Sequence, residues 1–424
     1  MTAQPSVTDM QTESVSIIGY LEGLMHVRGD DVRVWFEAER NAHGAPLFSS
    51  VDLRHAGYKI APVDTNLFPA GFNHLSPAAR ARAVESMRCC VAKLGSNPKI
   101  LVIPENHTRN LNYLDNLAAL TSLIEEAGAQ VHLGTLQEVT EPLVLQSASG
   151  HTVKQYPMCK EGSVLRTCDG FTPDLIVLNN DLTSGFPDVL RGITQPITPR
   201  PGLGWHRRRK SIHFEAYEKI ARRFAETFSI DPWLITPESY KCGRVNFAER
   251  QGMDKIAEAV ETVLARIRGH YARYGIEQEP YVYIKSDSGT YGMGIMTVRS
   301  GDELREVNKK IRNKMSTIKE GVTSTEVIVQ EGVPTVDLVD GAPAEPMIYL
   351  VNAHLVGGAY RVNSERDALG NLNATGMRFV RMCDSDESME AIRVSNCSLS
   401  AFSIVAGLAS LATSHEEYGE NYSI

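Results

Sequence analysis

The chain has 424 residues, of which 42% are hydrophobic and 22% are charged, and its formal net charge at pH 7 is −8. This composition is typical of a soluble globular protein with two or three domains, and the acidic balance argues against a general nucleic-acid-binding protein. The sequence has no apolar run long enough to cross a bilayer, and its polar start lacks the apolar core of a signal peptide.

The first part of the chain alternates helix-like and strand-like segments. Residues 1–14 are polar and are predicted to be a disordered lead-in. Ser76 followed by Pro77 is a typical helix start, because serine caps the first turn and proline fits its first position. The patterns predict helices at 16–28 and 77–94 and strands at 32–36, 48–53 and 59–63.

The last of these strands runs into Asp64 and Asn66, and then into a loop of small residues at 68–73. Because side chains alternate along a strand, Asp64 and Asn66 lie on the same side of it. Their oxygen atoms are ligands that suit Mg²⁺. The same residue types also favour an Asx turn at a strand end, so the sequence leaves both interpretations open.

The next region predicts a βαβ unit, because short apolar strands flank a helix that Gly128 stops. Residues that follow parallel strands face the ligand crevice of such a sheet, which favours a substrate-binding role for Glu105, Asn106, Arg109 and Asn110. A solvated polar loop explains the same residues equally well. The patterns predict strands at 99–103, 130–133 and 174–178, a helix at 113–127, and a hairpin or excursion at 144–171.

A linker rich in proline and glycine leads into the basic run 204–210, which precedes a helix predicted at 211–229. The run contains Arg207, Arg208 and Arg209. Positive charge opposes the dipole at the start of a helix, so a merely solvated run would be unfavourable there. Three interpretations remain open: a nucleic-acid patch, which the acidic chain disfavours, a solvated helix start, or a clamp for a carboxylate and phosphates.

A strand, a glycine-rich turn and a second strand occupy 281–298, after a helix predicted at 254–274. Glycines let backbone N–H groups converge on an anion, and Lys285 at the strand end can reach a phosphate. Asp287 can hold the divalent cation that accompanies a nucleotide. A plain hairpin with a glycine-rich loop is the alternative. The turn residues concerned are Ser288, Gly289, Gly292 and Gly294.

Downstream of this turn, a buried strand predicted at 326–333 contains Glu331, and a hairpin at 344–362 carries Arg361 on its second strand. The alternative for Arg361 is a surface residue that pairs with Glu345. The remaining predicted elements are a strand at 233–236 before Lys241, helices at 303–319 and 398–415, a loop with Asn371 and Asn373, and a loose acidic tail.

The strand of Lys285 with its glycine turn, followed by the strand of Glu331, resembles the nucleotide-binding part of ATP-grasp enzymes. The resemblance implies that Lys285 and the turn hold the phosphates of ATP, that the backbone near Glu331 reads adenine, and that Lys241 adds a phosphate contact. Asp64-Thr65-Asn66 is similar to the metal strand of these enzymes, but it comes earlier in the chain. This order is similar to that of eukaryotic glutathione synthetases, which are permuted in this way.

Across 14–411, the chain resembles a proteobacterial family of glutamate–cysteine ligases, most specifically at 63–73, 204–210, 284–296 and 370–376. The resemblance implies an α/β protein with an ATP-grasp fold and a preceding Rossmann-like βαβ substrate domain, permuted so that the metal strand is near the N-terminus. The implied divisions are a lead-in at 1–14, the N-terminal part of the ATP-grasp region at 15–95, the substrate domain at 96–200, a helical part at 201–280, the nucleotide-binding part at 281–411 and a loose tail at 412–424.

The resemblance also implies an activity, in which the γ-carboxylate of L-glutamate is joined to the amine of L-cysteine through a γ-glutamyl phosphate, with ATP and Mg²⁺. The implied catalytic residues are Arg361 and Lys285. The implied cofactor-binding residues are Lys285, Ser288, Gly289, Gly292, Gly294, Glu331 and Lys241, and the metal ligands are Asp64, Asn66 and Asp287. The implied substrate-binding residues are Phe68, Gly71, Asn73, Glu105, Arg109, Arg207, Arg208, Arg209, Asn371 and Asn373.

Two rival interpretations of function remain at this stage. One is another ATP-grasp carboxylate–amine ligase, such as a glutathione synthetase, and the other is a nucleotide-binding regulator without turnover. The expected partners are the small molecules glutamate, cysteine and ATP, without nucleic acid or membrane, and a homo-oligomer remains open. The seven cysteines are scattered without a Cys-x-x-Cys spacing, which favours reduced thiols in a cytoplasmic protein.

Overall fold

The computed structural model describes residues 16–68, 70–106, 110–247, 249–288, 295–306, 325–382 and 399–417. Within these ranges the chain forms a mixed α/β fold, in which helices cover and separate three sheets. None of the helices in the same ranges is both long enough and apolar enough to cross a membrane. The predicted lead-in lies outside the described residues.

The strands and helices follow one another in this order. The strands are β1 (Phe48–His55), β2 (Ile60–Asn66), β3 (Lys99–Pro104), β4 (Gln130–Thr135), β5 (Leu143–Gln146), β6 (Thr152–Glu161), β7 (Val164–Thr167), β8 (Leu175–Asn179), β9 (Ile197–Thr198), β10 (Ser239–Val245), β11 (Val282–Ser286), β12 (Ile295–Val298), β13 (Thr325–Glu331), β14 (Leu338–Val339), β15 (Ala342–Val351), β16 (His354–Val362) and β17 (Arg378–Arg381). The helices are α1 (Ile17–His43), α2 (Pro77–Val91), α3 (Leu111–Glu126), α4 (Lys210–Phe228), α5 (Met253–Tyr274), α6 (Gly301–Arg305) and α7 (Leu399–Ala412). Short 3₁₀ helices cover Phe72–His74, Ala92–Leu94, Asp188–Leu190, Pro201–Leu203, Pro232–Ile235 and Thr413–His415.

The first sheet joins strands that are far apart in the sequence. Its order is β17-β16-β15-β1-β2, with β14 beside β15, and its neighbouring strands are antiparallel. The register places Asp52 of β1 opposite Asp64 of β2 on one side and opposite Met347 of β15 on the other. The strand that carries Asp64 and Asn66 therefore lies in the same sheet as the hairpin that carries Arg361.

The second sheet has the order β10-β13-β11-β12 and is also antiparallel. The third sheet has a parallel centre, in which β4, β3, β8 and β9 are neighbours, while β6 runs parallel to β4. Helix α3 connects the parallel strands β3 and β4, which confirms the predicted βαβ unit. Strands β5 and β7 each pair antiparallel with β6 and account for the excursion predicted at 144–171.

The helices bury their apolar faces between the sheets. The largest core joins α1, α4, α5 and α7 to the first and second sheets, whereas α2 and α3 share a core with the third sheet and the opposite face of the first. The predicted cap of α2 is confirmed, because the Ser76 hydroxyl accepts the Ala79 N–H at 3.2 Å at the start of this helix. Asn110 caps α3 in the same way, accepting the Tyr113 N–H at 3.2 Å.

The strand predicted at 32–36 is wrong, because these residues are helical and belong to the part of α1 that follows its kink at Arg28. The aromatic and β-branched residues there favoured a strand. Burial follows the helical period instead, since Val32 and Phe36 are buried and Val34 between them is 62% exposed. The apolar face that packs on the core therefore decided the structure against the local propensity.

The strand predicted at 233–236 is also wrong, because Pro232–Ile235 is a 3₁₀ helix. Asp231 caps it by accepting the Trp233 N–H at 3.0 Å, and proline fits its first position. The tail predicted to be loose from 412 onward is ordered at its start, since Glu416 is only 2% exposed. Of the helix predicted at 303–319, the structure describes α6, and most of the rest lies outside the described residues.

Candidate functional site

One face of the first sheet gathers charged side chains from several strands. Glu345, Met347 and Tyr349 share that face of β15, and the register brings Asp52 and Asp64 into the same row as Met347. Directly opposed residues of an antiparallel pair have Cβ atoms about 4.5–5.5 Å apart, so Asp52 and Asp64 are close neighbours. Carboxylates in this arrangement repel each other unless cations lie nearby.

Lys210 supplies one of these cations. Its ammonium donates a 2.7 Å hydrogen bond to Asp64 Oδ1 and lies over the ring of Trp205. Burial opposes ionisation of Asp64, but the positive charges of Lys210, Lys285 and Arg208 outweigh it and hold the pKa of Asp64 at about 2. The side chain of Asp64 is nevertheless 41% exposed, so its carboxylate is both ionised and accessible to a ligand.

Lys285 lies at the end of β11, as predicted, and it points toward β2. Its ammonium donates hydrogen bonds to Gln330 Oε1 at 2.5 Å and to the Val63 carbonyl at 3.3 Å. Burial and the nearby charge of Lys210 lower the pKa of Lys285 to about 7. The lysine strand and the strand of Asp64 therefore meet, and a buried ammonium there favours an anionic ligand that would restore its full charge.

Asp287, directly after β11, contacts the start of α4. Its carboxylate accepts hydrogen bonds from the Ser211 N–H and hydroxyl, each at 2.7 Å, and its backbone carbonyl accepts the Lys210 N–H at 2.7 Å. Asp287 thus satisfies the first turn of a helix, where negative charge is favourable. Its predicted metal role remains a prediction, and both of its carboxylate oxygens already accept hydrogen bonds from Ser211.

The three arginines of the basic run have different surroundings. Arg208 is 1% exposed and pairs with Glu416 at 2.7 Å, while its Nη1 donates to the Thr65 carbonyl at 2.6 Å. Arg209 pairs with Glu326 at 2.8 Å, and Arg207 is half-buried. Because Arg208 is buried and paired with Glu416, its guanidinium could contact a substrate only if Glu416 moved.

Arg361 lies in a buried chain of alternating charges. Its Nη1 donates to Asp52 at 2.8 Å and also to Glu345, whose other oxygen accepts from Arg54 Nε at 2.8 Å. Burial opposes ionisation of Glu345, but the two guanidinium groups keep the pKa of Glu345 below its usual value. The alternative of pairing with Glu345 is thus correct for Arg361, although the pair is buried rather than at the surface.

Arg54 and Tyr283 hold the loop that contains Asn371 and Asn373. Arg54 donates to the carbonyls of Ala368 at 3.0 Å and Gly370 at 2.6 Å, and the Tyr283 hydroxyl donates to the Leu369 carbonyl. Within the loop, Asn371 Oδ1 accepts the Asn373 N–H at 3.0 Å. The loop is therefore attached to β1 and β11, close to the charged chain of Arg361.

The loop after β2 lies against Tyr349 of β15 in the same sheet. Asn66 Oδ1 accepts the Phe68 N–H at 2.9 Å, which is the Asx turn left open by the sequence. Phe68 itself is buried in a core, and Asn73 is half-buried. Gly71 has φ +88°, and a Cβ atom on it would stand 2.5 Å from Tyr349 Oη. Glycine at this position allows both the left-handed backbone and the close approach to Tyr349.

The remaining predicted residues are more scattered. Glu105 follows β3 and accepts the Asp181 N–H at 2.6 Å, so it joins the ends of two parallel strands. Glu331 is buried against Lys59 at 2.6 Å and also accepts the Glu238 N–H at 2.8 Å. Lys241 is exposed on β10, and Ser288 is half-buried. The predictions for Arg109, Gly289, Gly292 and Gly294 lie outside the described residues.

Several residues of this site were missed by the sequence analysis. Asp52 and Arg54 alternate with the apolar Val51 and Leu53 in β1, a period-two signal that could have identified them. Lys210 was seen only as part of the basic run. Glu416 gave no local signal, because its partner Arg208 is 208 residues away in the sequence.

The donor atoms at this face fit a hard divalent cation. Asp64 and Asn66 offer a carboxylate and an amide oxygen, and the amide oxygen keeps a second lone pair after accepting the Phe68 N–H. Asp52 and Glu345 add further carboxylates nearby. Oxygen donors without thiolate or imidazole suit Mg²⁺ rather than a softer metal.

A separate group of ligand-type residues joins the end of α1 to the 3₁₀ helix Thr413–His415. Glu39, His43 and His415 bring one ligand atom each within 4.8 Å of one another. Arg223 forms an ion pair with the same Glu39 oxygen, and the two imidazole rings lie 4.3 Å apart. Ion pairing and ring contact account for this group without a metal ion.

Comparisons with known proteins identify the family to which the chain belongs. A family model described as GshA: Glutamate-cysteine ligase matches residues 22–417. A crystal structure from Methylobacillus flagellatus KT, provisionally named a gamma-glutamylcysteine synthetase, is 39% identical with a TM-score of 0.85, covering 98% of this chain and 99% of that chain. No curated protein matches the chain.

Two other solved structures are more distant. D-alanyl-alanine synthetase A from Vibrio cholerae O1 biovar eltor is 12% identical with a TM-score of 0.33, covering 67% of this chain and 74% of that chain. A glutathione synthetase-like effector from Globodera pallida is 10% identical with a TM-score of 0.38, covering 88% of this chain and 84% of that chain. Likenesses this weak carry no argument about the fold or the site.

Proposed function

The chain belongs to the GshA family of glutamate–cysteine ligases, and from that premise we propose which of its residues bind ATP, metal ion and glutamate. As a member of this family it is an ATP-dependent ligase that joins glutamate to cysteine, as the sequence predicted. Neither a glutathione synthetase nor a regulator without turnover is favoured by the family match and the 39% identical structure.

ATP lies where the second sheet meets the first, in a permuted ATP-grasp arrangement. The observation that carries this proposal is the meeting of two strands, since Lys285 Nζ of β11 lies 3.3 Å from the Val63 carbonyl of β2. Lys285 would contact the phosphates of the nucleotide, together with the glycine turn and Lys241. The strand that ends at Glu331 would pass the adenine.

Asp64 and Asn66 would hold Mg²⁺ at the phosphates. The accessible, ionised carboxylate of Asp64 and its position beside Lys285 support this assignment. Asp287 stays the proposed third ligand. Both of its oxygens accept hydrogen bonds from Ser211, and the two oxygens of Glu345 likewise accept from Arg361 and Arg54. When bound, the metal ion neutralises charge on the transferring phosphate.

Glutamate would lie between the loop 68–73 and the basic run. One arginine of that run would hold its α-carboxylate, while its γ-carboxylate faces the nucleotide. The third sheet, a Rossmann-like substrate domain in this proposal, contributes Glu105 at the end of β3. The position of residues at the carboxyl ends of parallel strands supports a ligand-facing role for this edge.

The reaction needs two steps, because a carboxylate is a poor acyl donor. An oxygen of the γ-carboxylate attacks the γ-phosphorus of ATP, ADP leaves, and a γ-glutamyl phosphate forms. The amine of cysteine then attacks the acyl carbon, phosphate leaves, and the nitrogen loses a proton. Arg361 would stabilise charge on the transferring group, and Lys285 would orient it. A closed site must exclude water until the amine arrives.

Phosphate release tests the proposed substrates directly. The enzyme is assayed with glutamate alone, cysteine alone, both together, and γ-glutamylcysteine with glycine. We expect rapid release only with glutamate and cysteine together, and a folded Lys285→Met variant should show a large loss of activity in that reaction. Faster release with γ-glutamylcysteine and glycine would contradict the assignment and indicate a glutathione synthetase.

A further inference from the structure

Glu416, near the end of the described chain, is buried in the framework of the site. It follows the 3₁₀ helix Thr413–His415 and is only 2% exposed. Its carboxylate accepts hydrogen bonds from Arg208 Nη2 at 2.7 Å and from Arg208 Nε at 3.0 Å, and it lies 2.8 Å from His213 Nδ1. One carboxylate thus holds Arg208, just before α4, and His213, in the first turn of α4.

Both of these partners contact Thr65 of β2. Arg208 Nη1 donates to the Thr65 carbonyl at 2.6 Å, and His213 Nε2 lies 3.0 Å from the Thr65 hydroxyl. Thr65 stands between Asp64 and Asn66, so its backbone carries both proposed metal ligands. Glu416 is therefore linked to the metal-binding end of β2 through two residues. Arg208 contacts the Thr65 backbone, and His213 contacts the Thr65 side chain.

The arrangement depends on the charge of Glu416. Arg208 is 1% exposed and His213 is 3% exposed, so water cannot replace the carboxylate as a partner. A buried guanidinium that loses its counter-ion is strongly unfavourable, and it would be expected to change position. Any such shift moves the Thr65 carbonyl and with it the two residues on either side.

We propose that Glu416 is a positioning residue for the metal site. It holds Arg208 and His213 in contact with Thr65 and so fixes the positions of Asp64 and Asn66. This inference rests on the proposed metal role of Asp64 and Asn66. The residues that support metal ligands from behind determine ligand orientation, and their loss weakens metal binding by about 10- to 100-fold in other proteins. Glu416 acts in this way from the far end of the chain.

The test is Glu416→Gln, which keeps the shape of the side chain and removes its charge. The control is Glu417→Gln, which changes the adjacent, exposed carboxylate. Binding of Mn²⁺ is followed by electron paramagnetic resonance in the presence of a non-hydrolysable ATP analogue, at matched folded fractions. We expect Glu416→Gln to weaken Mn²⁺ binding by about 10- to 100-fold and Glu417→Gln to leave it unchanged.

Two further variants keep the inference testable. Thr65→Val removes the hydroxyl that contacts His213 without disturbing the buried charges, and it should weaken Mn²⁺ binding in the same direction but less. Asp64→Asn separates the inference from its premise. If Asp64→Asn weakens Mn²⁺ binding while Glu416→Gln and Thr65→Val do not, the positioning role is refuted alone. If Asp64→Asn has no effect, the proposed metal site fails and the positioning role fails with it.

Discussion

The ammonium of Lys210 lies 2.7 Å from Asp64 Oδ1, so a side chain of α4 neutralises the carboxylate that we propose as a metal ligand. Lys210 is the first residue of α4, and its backbone N–H donates to the Asp287 carbonyl. Asp287 therefore fixes the start of the helix that presents this cation. A metal ion that binds Asp64 must share or displace the contact with Lys210.

Lys210→Met should therefore raise the affinity of the nucleotide-free enzyme for Mn²⁺, because a competing cation is removed from Asp64. Isothermal titration of the enzyme with Mn²⁺ measures this affinity. The matched control is Lys219→Met, since Lys219 is an exposed lysine of the same helix that pairs with Glu215. Weaker Mn²⁺ binding by Lys210→Met would show that Lys210 supports the metal site instead of competing for it.

ATP affinity should fall as pH rises through neutrality, because the pKa of Lys285 is lowered to about 7 by burial and by Lys210. Below this pKa the ammonium is charged and attracts the phosphates, and above it the free enzyme loses that charge. Lys285→Arg should remove this dependence between pH 6 and 9, since arginine stays protonated there. Fluorescence titration with a nucleotide analogue across this range gives the comparison, and a wild-type affinity independent of pH would contradict it.

The same lowered pKa predicts an effect on stability. Lys285 binds its proton less well in the folded protein than in the unfolded chain, so its contribution to stability should rise with pH between the folded value of about 7 and the unfolded value of about 10.4. Lys285→Met should thus raise the melting temperature of the ligand-free protein more at pH 6 than at pH 9. Equal shifts at the two pH values would argue against a buried, partly neutral lysine.

Gly71→Ala should destabilise the loop after β2 for two separable reasons. Gly71 has a left-handed φ of +88°, which costs other residues about 1–2 kcal/mol. A Cβ there would also approach Tyr349 Oη to 2.5 Å. Gly57→Ala is the control for the first reason, since Gly57 has φ +85° and no atom within 4 Å of such a Cβ.

Denaturant unfolding should show a larger loss of stability for Gly71→Ala than for Gly57→Ala. Adding Tyr349→Phe should restore part of the difference, because it removes the atom that clashes. Within the described residues the buried Tyr349 hydroxyl has no hydrogen-bond partner, so Tyr349→Phe alone should change stability little. Equal losses for the two alanine variants would show that the loop moves away from Tyr349 at little cost.

The sequence predicted this protein best where one local pattern decides the structure. The second of the two strands predicted within 281–298 is confirmed as β12, which ends at Val298 as predicted, and α2 begins at Pro77 as its cap predicted. Residues 32–36 were wrongly predicted because burial against α7 and the core, which sequence alone does not display, favoured the helical period over the β-forming side chains.

The charged framework of the site was harder to predict for the same reason. Arg208 has the right chemistry for a carboxylate, but its carboxylate is Glu416, which belongs to the same chain. Arg361 likewise pairs with Asp52 and Glu345, which belong to the same chain. Residue type identified these cations correctly, whereas their partners depend on contacts between segments 208 and 309 residues apart.

The glutamate clamp gives the last prediction, which concerns the arginines of the basic run that are not fully buried. Arg208 is held inside by Glu416, whereas Arg209, which pairs with Glu326 of β13, is half-buried. Arg207 is half-buried, and it lies three residues before the lysine that contacts Asp64.

Arg207→Ala should raise the glutamate KM by about 10-fold or more and leave ATP affinity nearly intact. This is the effect expected from the loss of a charged hydrogen bond worth about 1.5–3 kcal/mol. Arg222→Ala, an exposed change on α4, is the control. Steady-state kinetics with varied glutamate give the result, and a higher KM only in Arg209→Ala would move the α-carboxylate to Arg209.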